Sequence, residues 1–142
     1  MSRKSIIVLV IFTIILIVIS ITTVHNKPDI LAAYITDSKP PSEKDLEKLP
    51  TNPQFSKPDD IFLIIQVEHI RVEDEIKVIW NKNENGKKTK IQKDKIIPAG
   101  NGSGILITSL AKRDRKIMEG QYEAEVFLNQ NLEIKKEFAV QN

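Results

Sequence analysis

Hydrolysis by a nucleophile requires a hydroxyl or thiol held beside a base, and this sequence supplies few candidates for either. Ser103 and Ser109 are available hydroxyls, but neither sits in a nucleophile-elbow motif, and His69 is the one histidine in the predicted domain over residues 59–142. The chain has no cysteine, which excludes thiolate nucleophiles, disulfides and cysteine-based metal sites. Glu68, Glu73, Asp74 and Glu75 gather carboxylates around a strand or turn, where solubility and turn formation account for them. Glu119, Glu123 and Glu125 flank or decorate a second strand without a partner that would make them a catalytic pair. His69 and the distant His25 do not have metal-ligand spacing. Asn101-Gly102-Ser103-Gly104 is glycine-rich like a phosphate loop, yet it lacks the Gly-Lys-Ser/Thr ending and opens no helix. The sequence therefore predicts a protein that is not an enzyme, with no catalytic, cofactor-binding or metal residues.

What remains are surfaces. Three polar segments offer interaction loops: Asn81–Lys90, with Asn85, Lys87 and Lys88; the 101–104 turn, with Asn101; and Lys112–Lys116, with Arg113 and Arg115. Their basic character does not indicate nucleic acid. The formal charge is +2, and without Arg3 and Lys4 the other 19 basic residues balance the 19 acidic ones. No small-molecule ligand can be identified from these residues.

The elements that would position these loops are strands. Ile61, Leu63, Ile65 and Val67 share one face, with Phe62 and Ile64 adding apolar groups to the other. Ile76, Val78 and Trp80 alternate cleanly and make Trp80 the best core candidate. Asn85-Gly86 signals a tight turn, after which a lysine-bearing edge strand reaches Ile97 and is closed by Pro98. Ile105–Leu110 returns through the sheet, and Tyr122–Leu128 and Leu132–Val140 read as a closing hairpin. Six strands without an intervening helix predict an all-β fold, a small antiparallel β-sandwich over residues 59–142.

Met118-Glu119-Gly120-Gln121-Tyr122, the strand that follows it and Trp80 on an earlier strand resemble membrane-anchored bacterial immunoglobulin-like or fibronectin-III-like accessory domains. The resemblance implies a sandwich with a core tryptophan, used for binding, spacing or assembly. The cysteine pair of antibody-type domains is absent, so their disulfide is not implied.

Ahead of the sandwich, Ile6–Val24 runs for nineteen residues without charge, proline or glycine. As a helix it would rise about 28 Å, the thickness of a bilayer core. Arg3 and Lys4 place the N-terminus in the cytoplasm. The expected organisation is a cytoplasmic end and single transmembrane anchor over 1–24, then a proline-rich extracytoplasmic stalk over 25–58 with short helices near Pro28–Ile35 and 43–48, then the sandwich. A cleaved signal peptide is the competing reading of the apolar run. The function expected from this layout is a noncatalytic, single-pass accessory or assembly subunit of a membrane-associated protein complex in the cell envelope. A peptide- or carbohydrate-binding surface module and an accessory subunit of an envelope enzyme are the alternatives.

Overall fold

The computed structural model describes residues 27–38, 42–110 and 117–141. Eight strands follow in order: β1 (Asp29–Thr36), β2 (Gln54–Ser56), β3 (Ile61–Ile70), β4 (Ile76–Glu84), β5 (Lys87–Ile96), β6 (Gly102–Leu110), β7 (Gly120–Leu128) and β8 (Asn131–Gln141). They form two sheets, β1-β3-β6 and β2-β8-β7-β4-β5. The smaller sheet is antiparallel, whereas β2 runs parallel to β8 at the margin of the larger one. This two-sheet arrangement is consistent with an immunoglobulin-like or fibronectin-III-like topology.

Local chemistry explains the hairpins. Asn85 and Gly86 both have positive φ (51° and 78°), the primed-turn geometry that matches strand twist and favours Asn-Gly. Asn129 and Gln130 adopt the same handedness between β7 and β8, at 47° and 74°. Asn129 is held there from both sides. Its Nδ2 donates to Asp74 Oδ1 at 2.8 Å and its Oδ1 accepts from the Glu75 amide at 2.9 Å.

The core lies between the sheets and is organised by Phe138. Tyr122 stacks on it at 5.2 Å between ring centroids, Trp80 meets it edge-on at 6.2 Å, and Phe55 is tilted against it at 6.1 Å. Trp80 is fully buried, and it sits across from Ala124, whose small side chain leaves room for the indole. Tyr122 donates its hydroxyl hydrogen to the Met118 carbonyl at 2.5 Å, so burial of the ring leaves its polar end bonded.

Several expectations are corrected here. The span Ile6–Val24 lies outside the described residues, and no helix among the described residues is long and apolar enough to cross a membrane. Among the described residues, the single-pass topology, its cytoplasmic and extracytoplasmic sides and the membrane-complex role thus have no structural element behind them. The proline-rich segment is not simply a stalk, and the sheets are not purely antiparallel. Pro28–Ile35, expected to turn helically, contributes β1, because Ile30, Ala33 and Ile35 reach the core once a bulge at Leu31 resets the alternation. Phe55 likewise enters the aromatic cluster from β2. Helical expectation survives at Glu43–Lys48 as a 3-10 turn, with Ser42 donating to the Asp45 carboxylate at 2.6 Å rather than capping a backbone amide.

Phe55 tests whether β2 belongs to the folded unit. Phe55→Ala is expected to lower unfolding stability by about 3–5 kcal/mol, the usual cost of emptying a large aromatic site. Denaturant unfolding followed by Trp80 fluorescence reads the change. A cost within about 0.5 kcal/mol would return residues 54–56 to the status of a linker.

Candidate interaction face

The two outer faces of the sandwich differ in chemistry. On the five-stranded sheet, Lys88 pairs with Glu123 and, at 2.9 Å, with Glu125. Glu125 also accepts from Asn81 Nδ2 at 3.2 Å and lies 3.4 Å from Lys135 Nζ. Lys77 covers the Phe127 ring at 4.3 Å. Hydrogen bonds to Glu123 and then Glu125 hold the Lys88 ammonium above its ordinary pKa, against the opposing effect of lost hydration. For Glu125, burial pushes the pKa up, but hydrogen bonding and charge attraction from Lys88, with Asn81 and Lys135, leave it below the ordinary value. This face is an internally compensated ionic layer.

The outer face of the three-stranded sheet carries no charge over three successive cross-strand rows. They are Thr36–Phe62–Ser109, Tyr34–Ile64–Ile107 and Ala32–Gln66–Ile105. Ile64 at the centre is fully buried, flanked by Tyr34 and Ile107, and Ile107 on the outermost strand is 50% exposed.

Strand edges sharpen the contrast. An exposed edge presents unpaired amides and carbonyls, which proteins guard with lysines, bulges, prolines or shortness. β5 carries Lys87, Lys88, Lys90, Lys93 and Lys95; β1 has Asp29 and the bulge at Leu31; β2 has three residues. The reach of β8 beyond β2 bears Glu133, Lys135, Lys136 and Glu137. β6, Gly102-Ser103-Gly104-Ile105-Leu106-Ile107-Thr108-Ser109-Leu110, has neither a charge nor a proline, and among the described residues it pairs with β3 alone.

A polar clamp fixes where this edge lies. Asp94 Oδ2 accepts from Trp80 Nε1 and from Thr108 Oγ1, both at 2.8 Å, joining the buried indole of one sheet to β6 of the other. Gln92 Nε2 donates to Asp94 and, at 2.8 Å, to the Ser109 carbonyl. That carbonyl therefore points away from β3, towards β5. By the period of two, the amides and carbonyls of Ile107 and Ile105 point outward too.

The interaction loops expected from the sequence fall elsewhere. Asn85, Lys87 and Lys88 sit at one end of β5, and Asn101 lies beyond the other end. Lys88 is absorbed by the ionic layer, and Asn101 Oδ1 accepts from the Val72 amide at 2.9 Å, stitching two loops together. Arg113 and Arg115 lie outside the described residues. At the Asn101 end, a cleft of about 450 Å³ is bordered by Lys27, Asp29, Glu68, His69, Asn129 and Glu133. Among the described residues, no group of three or more His, Cys, Asp or Glu side chains is placed to hold a metal ion. Ser103 Oγ meets His69 through the backbone amide, at 3.3 Å, so this contact does not join hydroxyl to imidazole. His69 itself has φ 52° at the bulge in β3.

The chain matches no known protein family and no curated relative in sequence. Fold and surface chemistry carry the functional argument.

Two outcomes follow from these contacts. Asp94→Ala removes the charged acceptor of Trp80 and Thr108 and is expected to cost about 2–3 kcal/mol, read by chemical denaturation. The second concerns pH. A depressed Glu125 pKa contributes stability above the unfolded value that is lost as pH falls through the folded one. A raised Lys88 pKa contributes stability below its unfolded value that is lost as pH rises through the folded one. Lys88→Met is therefore expected to flatten the fall in melting temperature between about pH 7 and pH 3, within the carboxylate range. An unchanged acid limb would show that the ionic layer is energetically silent.

Proposed function

We propose that this protein is a noncatalytic binding module whose β-sandwich recognises another polypeptide by strand addition at β6. The observation that carries the reading is the unguarded edge: each other exposed margin has lysines, acidic groups, a bulge or a length of three residues, and β6 has none of these. Backbone bonding at such an edge supplies affinity, and side chains at alternate positions supply specificity. Ile105 and Ile107 stand beside the uncharged Tyr34–Ile64 face, so an added strand would gain apolar neighbours as well as amide partners. The ionic face satisfies its own charges and offers a partner less.

A photo-reactive amino acid at position 107 tests the reading in cells, with position 91 on β5 as the comparison. Ile107 and Ile91 are similarly exposed, at 50% and 44%. Discrete protein adducts are expected from 107 and not from 91. Adducts from neither position, or equal adducts from both, would remove β6 as the binding edge.

A further inference from the structure

Resting on that reading of β6, we propose that the strand it takes is the β6 of a second copy of this chain. The two copies pair antiparallel about a two-fold axis at Leu106 and merge two three-stranded sheets into one of six. A copy pairing along β5 would bring five lysines against five lysines, whereas along β6 it brings no charge against none.

Register comes next. Aligning the whole of Gly102–Leu110 with itself places the axis at Leu106. Ile105 of each copy then faces Ile107 of the other, and these residues carry the outward amides and carbonyls. Ladder bonds across both Ile105–Ile107 pairs leave aside the Ser109 carbonyl, which already accepts from Gln92. On the outer surface each Ile105–Ile107 pair extends the Tyr34–Ile64–Ile107 row of one copy into the Ile105–Gln66–Ala32 row of the other.

Glycine provides an independent observation. Gly104 does not have the left-handed φ that favours glycine, and a Cβ added there would meet nothing within 4 Å. A glycine inside a strand weakens it, and it marks a bulge, a tight bend or a close approach of another backbone. Gly104 pairs with Val67 where the β3 bulge begins, and it also leaves the free side of β6 open to a second backbone. In the proposed register Gly104 lies opposite Thr108 of the second copy; Gly102, whose φ of 137° itself favours glycine, lies opposite Leu110. The pairing is self-complementary in charge, in backbone bonding and in side-chain size.

The test uses the full chain. Sedimentation velocity across a concentration series is expected to show a monomer–dimer equilibrium. Ile107→Lys should weaken association by about tenfold or more, since it places a charge in each new cross-strand pair. Gly104→Val should keep or raise the melting temperature, because valine favours an extended strand, yet lose the dimer. The chain has no cysteine, so Leu106→Cys should form an intermolecular disulfide under mild oxidation. Facing positions in a non-hydrogen-bonded antiparallel pair lie about 4.5 Å apart between Cα atoms, within disulfide reach. Ile107→Cys, opposite position 105, should cross-link far less.

A dimer indifferent to Ile107→Lys and Gly104→Val would overturn the inference, placing the contact elsewhere in the chain. A monomer at every concentration would also overturn it. If position 107 still forms adducts with a different protein in cells, the second-copy inference falls and the binding reading stands. If it forms none, both fall. Amides of Ile105 and Ile107 that resist hydrogen exchange in a monomer would also end both, since another part of the same chain would then occupy the edge.

Discussion

Asp94 is the joint between the two sheets. The sandwich has to bury the indole of Trp80, and a buried N–H without an acceptor costs roughly as much as the hydrogen bond it forgoes. The carboxylate that accepts it comes from the neighbouring strand of the same sheet and also accepts Thr108 from the opposite one. A core requirement is thus met by a group that fixes the position of an edge strand. Gln92 reinforces the arrangement by reaching the Ser109 backbone. Among the described residues, no strand pairs with the side of β6 away from β3, and the clamp holds the edge in place.

The two sheets divide labour accordingly. The five-stranded sheet builds the aromatic core and closes its outer face with paired charges, a surface that gains little from contact with another protein. The three-stranded sheet has three uncharged rows on its outer face and, among the described residues, a margin at β6 that no strand pairs with. Polar residues elsewhere on the molecule are largely engaged with one another, as Asp74 is with Asn129 and Asn101 with the Val72 amide. Stitched loops leave little of the adaptability by which loops usually recognise partners. On the proposed reading, recognition falls to the backbone of a strand rather than to the loops.

The sequence made the central strands legible because their alternation is strong: Ile76, Val78 and Trp80, then Tyr122, Ala124, Val126 and Leu128, are buried on one face. The Asn-Gly turn and the lysine-guarded edge were legible for the same reason, a local rule with a local signal. β1 was not. Its alternation is broken by the bulge at Leu31, and Pro28 at its start fits a first helical turn equally well. β2 was invisible, since three residues flanked by Pro53 and Pro58 carry no period, and Phe55 becomes a core residue only through β8. The candidate site was missed because it is defined by an absence of charge. In sequence Ile105–Leu110 reads as a strand returning through the sheet and 101–104 as a turn; the topology extends the strand back to Gly102 and places it at a margin. Lys88 shows the converse: a residue that looked available in a basic loop is consumed by carboxylates two strands away.

The pairing of β2 with β8 has a kinetic consequence. Gln54 and Gln141, joined by a side-chain hydrogen bond at 3.2 Å, are 87 residues apart in the chain. Contacts of such separation incur a large loop-closure entropy before they return any energy, which places sheet proteins of this kind in the slow, millisecond-to-second folding range. The hairpins β4–β5 and β7–β8 close locally and need not wait for it. Until β2 docks, the Phe138 ring lacks one of its aromatic neighbours and the bare margin of β6 is presented by an incompletely sealed sandwich. A bare strand margin of this kind makes that interval the chain's period of greatest exposure to misassembly.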